Sequence, residues 1–199
     1  MRQRVEADLS GLPTYGFGSC MTTWWGTIAF CALEGTGFAL VIGSYLYLEF
    51  LNPVWPLSGP PPGLLWPTLN LAVIILSGIP NAWVKRKSQD EELRAVQIGL
   101  VVMSLVGVVA IGLRALEFTT LHVKWDQNAY GSLVWVLLGL HTTHVVTDVG
   151  DTLVLTALMF TKHGRGKRFS NAEDNAVYWY FVIATWIPIY LLLYWLPRF

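Results

Sequence analysis

The chain has 199 residues, of which 54% are hydrophobic and 13% charged, with a mean hydropathy of +0.49. A soluble domain carries about a quarter charged residues, so these proportions exclude an ordinary globular protein and indicate a single-domain integral membrane protein. The 13 basic and 13 acidic side chains balance to a formal net charge of zero, which excludes a nucleic-acid partner; Cys20 and Cys31 sit at no zinc-like spacing and give no disulfide framework.

Residues 1–21 predict an irregular N-terminal tail, because Pro13, Gly16 and Gly18 oppose a helix. Charge mixed with Gly and Pro there leaves no apolar core of signal-peptide length. Residues 22–199 then read as an all-α transmembrane domain of five helices, with spans at about 23–48, 64–84, 95–116, 131–161 and 175–196. The proline-rich stretch from Asn52 to Gly63 cannot be helix and separates the first two spans. A basic run, Lys85-Arg86-Lys87, closes the second span, and a polar connection from Thr119 to Tyr130 follows the third. The fourth span is long enough to tilt or protrude, and a basic loop from Lys162 to Arg168 precedes the fifth. Aromatic rings gather at bilayer interfaces, which makes Trp24, Trp25, Trp55, Trp179, Tyr180 and Trp186 candidates for lipid or interface contact. Gly35, Gly37 and Gly43 are candidates for close helix approach.

Five spans put the termini on opposite sides. The tail and the loops after spans two and four hold Arg2, Arg4, Lys85, Arg86, Lys87, Arg94, Lys162, Arg165, Lys167 and Arg168, against Lys124 and Arg198 on the other side. The positive-inside rule therefore predicts a cytoplasmic N-terminus and an external C-terminus.

Within the fourth span His141, His144, Asp148 and Asp151 fall within roughly 80° of one helix face at about 100° per residue. Ionisable groups at membrane depth are costly and normally face a bundle interior or a wet cavity. By helical rise, His144 lies about 20 Å in from the start of span four and Glu34 about 16 Å in from the start of span one, so the two share a level if those spans are neighbours. Arg114 and Glu117 are spaced i,i+3 and can meet on one face of span three; Arg114 alone would snorkel to the interface. Three readings of the stripe stand side by side. It is polar glue between helices; it handles protons or contacts lipid around Glu34 and His144; or His141 and His144 bind a metal, with Asp148 or Glu34 completing the set. His122 and His163 fall in predicted loops, so a haem–copper centre cannot be assembled from this chain.

Several short motifs, in order along the chain, resemble subunit III of haem–copper terminal oxidases. Leu33-Glu34 followed by Thr36-Gly37-Phe38 is similar to that family's first-span motif, and Trp55-Pro56 with the following prolines is similar to its outer loop. Leu69-Asn70, Leu76-Ser77-Gly78, Ala115-Leu116-Glu117-Phe118 and Tyr130-Gly131-Ser132 resemble further family positions. The most specific piece, Gly139-Leu140-His141-Thr142-Thr143-His144-Val145, resembles Gly-Phe-His-Gly-Leu-His-Val. Glu173 and the run Tyr178-Trp179-Tyr180-Phe181-Val182, with Trp186, fall on its last helix.

The resemblance covers about Trp24 to Trp195 and fits the short, five-helix form. It implies a non-catalytic subunit carrying no haem or copper, with those centres in a partner catalytic subunit I and a subunit II beside it. It further implies bound phospholipid, support of proton uptake, and a bacterial cytoplasmic membrane as the location. Glu34 falls on the family's carbodiimide-sensitive glutamate. An accessory subunit of nitric oxide reductase, from the same superfamily, is the alternative, as is a self-sufficient metalloprotein built on the stripe. The chain departs from the pattern at Tyr180 and Ile183, where the family has His and Asp, at Asp148, where it has Gly, and at Arg114, where Gln is usual. Asp151 has no family counterpart. One of the two new aspartates is expected to replace the lost polar pair through contacts among spans one, four and five.

Overall fold

The computed structural model describes residues 15–57, 59–161, 164 and 166–199. Among them there is no strand, and five helices are long and apolar enough to cross a membrane. They are α1 (Thr22–Leu51), α2 (Leu65–Gln89), α3 (Leu93–Thr119), α4 (Ala129–Met159) and α5 (Lys167–Tyr190). At 1.5 Å per residue these run from about 36 to 46 Å, longer than the roughly 30 Å hydrocarbon core of a bilayer.

The helix ends follow local chemistry. Asn128 caps α4, its side chain accepting from the Gly131 amide at 2.8 Å. α1 stops at Asn52, where the proline-rich loop begins. α5 starts eight residues before the expected start of its span, because residues 167–174 are polar but helix-compatible; hydropathy marks where a chain enters lipid, while the helix itself reaches further. Pro188 removes an amide donor from α5, which passes at Leu191 into one π turn over Leu191–Trp195 and a 3-10 turn at Leu196–Arg198.

α2, α3, α4 and α5 form a closed ring in which each packs against the next, and α1 lies outside it over the α4–α5 seam. Only Phe38 and Tyr45 of α1 are buried. The ring is tight where glycine removes a side chain: a Cβ on Gly99 would strike Val84 and Trp83, and one on Gly107 would strike Val149. The expected close-approach glycines of α1 do not act this way. Gly37 and Gly43 face open space, and Gly35 has only an ordinary contact with Phe181.

Two apolar clusters fill the bundle. One gathers Tyr45, Tyr130, Trp186 and Tyr194 at the end near the proline-rich loop. The other gathers Val84, Val96, Met159, Phe169 and Trp179 at the opposite end. Residues 1–14, with Arg2 and Arg4, lie outside the described residues, as do Ser58, Lys162, His163 and Arg165. The tail's last stretch is docked. The Gly18 amide donates to Glu173 at 2.9 Å, and the Tyr15 hydroxyl donates to Glu91 at 3.1 Å.

Candidate functional site

The stripe on α4 separates into two sites. At about 100° per residue, His141 lies at one edge of the face, followed by Asp148, His144 and Asp151. Burial follows the same order: His141 is 0% exposed, Asp148 4%, His144 6%, and Asp151 is exposed. The inner edge thus faces the ring's interior and the outer edge faces α1.

At the inner edge, His141 belongs to a sealed ionic network. Arg114 Nη1 donates to Glu117 Oε2 at 2.8 Å, and Nη2 donates to His141 Nδ1 at 3.1 Å. A guanidinium has no acceptor, so Nδ1 must be unprotonated and His141 carries its proton on Nε2, which donates to the Val182 carbonyl at 3.1 Å. The Tyr194 hydroxyl donates to the other oxygen of Glu117. The guanidinium lies 3.7 Å above the Trp186 ring, a stacked cation–π contact. Arg114 and Glu117 are 2% and 1% exposed, so Arg114 does not snorkel; the carboxylate, imidazole and indole replace water at its terminal nitrogens and face, while Nε is buried without a partner among the described residues.

At the outer edge, His144 meets Glu34 of α1. Its Nδ1 donates to the Leu140 carbonyl at 2.6 Å, which leaves Nε2 facing Glu34 Oε2 at 3.2 Å. The approach is within ion-pair distance but poorly aligned, and Nε2 has no well-directed hydrogen bond among the described residues. The Tyr178 hydroxyl donates to the same Glu34 oxygen at 2.7 Å.

Below this pair, Asp148 Oδ1 accepts from Asn175 Nδ2 at 3.2 Å, and Asn175 Oδ1 accepts from the Thr152 hydroxyl at 3.2 Å. Asp148 Oδ2 is buried without a hydrogen-bond partner among the described residues. These side chains line a groove of about 850 Å³ between α1, α4 and α5, on whose margin Asp151 stands.

Trp179 and Trp186 are not at the lipid interface. They are 2% and 0% exposed, the indole of Trp179 donating to Ser77 at 2.7 Å and that of Trp186 lying under Arg114. The ring N–H of Trp179 and the flat face of Trp186 serve polar contacts inside the bundle, a use that aromatic content alone does not distinguish from membrane anchoring. Trp25 is 56% exposed and Tyr180 37%, while Trp24 and Trp55 are half-buried. Trp55 donates to the Tyr45 hydroxyl at 2.9 Å, joining the proline-rich loop to α1.

Four residues that sequence reasoning left unassigned hold these sites together. Asn175 and Tyr178, i,i+3 on α5, supply the partners of Asp148 and Glu34, and their spacing was the available signal. Tyr194 lies within the π turn, where the 100° rule no longer gives its direction. Glu173, 1% exposed, accepts from Gly18 and from Gln89, the latter at 2.7 Å.

The geometry gives no support to a metal on the stripe. Both ring nitrogens of His141 are engaged, and among the described residues no three His, Cys, Asp or Glu side chains are placed to hold an ion.

Comparison with known proteins adds to this geometry. A family model described as cytochrome c oxidase subunit III matches residues 24–198. The chain is 25% identical to a cytochrome c oxidase subunit 3 from Thermostichus vulcanus over 177 residues, covering 87% of each chain. It is 27% identical to the protein of that name from Drosophila yakuba over 200 residues, covering 96% of this chain and 74% of the relative.

Proposed function

The chain belongs to the cytochrome c oxidase subunit III family, and from that membership we propose that it is the non-catalytic subunit III of a haem–copper terminal oxidase, packed in the membrane against the haem-bearing subunit. The observation that carries this reading is the family match over residues 24–198, which reaches all five helices. Haem and copper belong to the partner subunit I, with subunit II beside it, and cytochrome c or a quinol is the electron donor.

The sealed network of Arg114, Glu117 and His141 supports a stabilising role. It ties α3 to α4, α5 and the chain's last turn in the interior of the ring, away from lipid. The Glu34–His144 pair supports a part in proton uptake, because it places a carboxyl group and an imidazole 3.2 Å apart at the wall of an open groove. The exposed apolar faces of α1, α2 and α3 suit phospholipid and the catalytic subunit. The uneven distribution of basic residues supports a cytoplasmic N-terminus, and the five-helix form supports a bacterial inner membrane. Affinity purification of the tagged chain from its native membrane tests the reading. A haem-bearing polypeptide is expected to copurify in fixed ratio; recovery of the chain alone overturns it.

A further inference from the structure

α1 is held to the bundle unevenly along its length. Its second half is anchored. Phe38 and Tyr45 are buried, Phe38 lying on the His144 ring with centroids 5.0 Å apart and Tyr45 accepting from Trp55 of the proline-rich loop at 2.9 Å. Its first half has no buried residue, and Thr23, Gly26, Thr27 and Phe30 line an open groove. Helices in a bilayer hold one another by close packing, so this half gains little from apolar contact. Glu34 meets Tyr178 and His144 near the middle of the helix, and Phe30 stacks on Tyr178 with centroids 5.9 Å apart. Closer to its start, α1 is joined to the ring by the segment that precedes it.

Residues 15–21 form a strap across the end of the ring, and they touch several of its elements. The Tyr15 hydroxyl donates at 3.1 Å to Glu91, in the turn between α2 and α3. The Tyr15 ring lies against Gly166, ahead of α5, where an added Cβ would stand 3.4 Å from it. Phe17 packs on the apolar cluster that contains Val84, Val96, Met159 and Phe169. The Gly18 amide donates to one oxygen of the buried Glu173 at 2.9 Å, and Gln89 of α2 fixes the other oxygen at 2.7 Å. The far end of the strap is fastened to α1, because the Trp25 indole donates to the Ser19 carbonyl at 2.9 Å. Gly18, at a φ of +61°, supplies the left-handed turn between the two attachments.

We propose that this strap is a clasp that sets the tilt of α1 against the ring. The helix is an arm with its pivot at Phe38 and Tyr45, and the Gly18–Glu173 bond holds its free end. Only Met21 separates the strap from the helix, so α1 cannot swing away from the ring while the strap stays docked. With the clasp open, the arm takes the tilt that lipid and its own length dictate. A change of tilt of about 20°, ordinary for a membrane helix, moves Ala29, about 13 Å from Phe38, by about 5 Å.

Double electron–electron resonance on the full chain, purified in native-lipid discs with whatever copurifies, tests this. Cys20 and Cys31 are replaced by Ser, and spin labels are placed on two pairs of exposed positions. Ala29→Cys with Leu153→Cys reads the arm's free end; Tyr47→Cys with Val136→Cys reads the pivot end. The same preparation without introduced cysteines gives the background. The clasp is opened in two ways. Glu173→Ala removes the acceptor; Gly18→Ala leaves Glu173 and Gln89 in place and acts through the left-handed φ, since an added Cβ there meets nothing within 4 Å. In both variants the 29–153 distances are expected to lengthen or broaden by about 5 Å, with the 47–136 distances unchanged. Hydrogen exchange over residues 15–21 reports release of the strap. Strap release with unchanged 29–153 distances overturns the proposal, because α1 is then held by its own packing. Equal changes at both pairs overturn the pivot. A change seen in Glu173→Ala alone assigns the effect to the α2–α5 contact through Gln89 and also overturns the clasp, as does a strap that stays protected in both variants.

Discussion

His141 and His144 stand one turn apart on α4, in the same motif, yet they are bound in opposite senses. His141 carries its proton on Nε2 and accepts at Nδ1 from a buried guanidinium; His144 donates from Nδ1 and turns Nε2 towards a half-exposed carboxylate. The first belongs to a network closed by Arg114, Glu117, Tyr194 and Trp186. The second lines a groove, beside a carboxylate with one oxygen unpartnered among the described residues. A difference of about 60° around one helix thus separates a ring with both nitrogens hydrogen-bonded from one whose Nε2 faces a carboxylate with no directed bond among the described residues. The closed network suits structure, and the open one suits exchange with whatever enters the groove.

The largest effect should come from breaking the closed network. Glu117→Ala leaves Arg114 buried without its carboxylate and the Tyr194 hydroxyl without its acceptor, which is expected to cost about 3–5 kcal/mol. Glu34→Ala, at a side chain 21% exposed, is expected to cost about 1 kcal/mol or less. Thermal unfolding of the detergent-solubilised protein checks both, and equal shifts in melting temperature would erase the distinction. Replacing Arg114 and Glu117 together by Met and Leu should recover most of the loss, because the penalty lies in the unpaired charge more than in the missing attraction.

Next in size is His141→Ala, which strands Arg114 Nη2 and opens a cavity beside Trp186, for about 2–3 kcal/mol. His144→Ala loses a helix-internal bond, the Glu34 contact and ring packing against Phe38 and Phe181 but strands no buried charge, so about 1–2 kcal/mol is expected in the same unfolding measurement. The tautomers sharpen the comparison further. Nitrogen NMR of histidine-labelled protein should show one Nε2–H imidazole that disappears in His141→Ala. It should show a second ring, protonated at Nδ1, that disappears in His144→Ala. A single tautomer for both would contradict the assigned directions of the hydrogen bonds.

How much of this was legible in the sequence depended on which property carried the signal. The five helices were readable because each apolar run is long enough to span a bilayer. The polar face of α4 was readable as an angle, and the same angles order its burial from His141 out to Asp151. What angle on one helix could not give was the partner. Arg114 was expected to snorkel because nothing in its own span shows that Trp186 and His141 lie opposite it. Trp179 and Trp186 read as interface residues because an indole suits both a membrane surface and a polar core. Tyr194 was hidden because it belongs to the π turn, whose wider winding departs from 100° per residue. The direction of Asp148 depended on Asn175, whose own side chain is placed by a helix that begins earlier than hydropathy suggests.

The smallest effects lie at the end of the bundle where the tail docks, and the same contrast of buried and exposed contacts recurs there. Glu173, 1% exposed, accepts from the Gly18 amide and from Gln89, whereas the Tyr15 hydroxyl reaches Glu91 at the surface. Glu173→Gln leaves one acceptor oxygen where two are used and removes the charge, for about 1–2 kcal/mol of local stability. Hydrogen exchange over residues 15–21 should then quicken about tenfold, which is what that range of energies predicts. Tyr15→Phe should produce a smaller rise in the same segment, because water replaces a surface hydrogen bond at little cost. The neighbouring carboxylate of Glu91 holds the Tyr15 phenol above its ordinary pKa by accepting its proton in a hydrogen bond. A raised pKa favours the docked tail at any pH below the ordinary phenol value, and the contribution is lost as pH rises through the raised one. The difference in exchange between wild type and Tyr15→Phe should therefore be constant across neutral pH and vanish only in strong alkali. A difference that shrinks near neutrality would mean that another group, and not the phenol, ties down the tail.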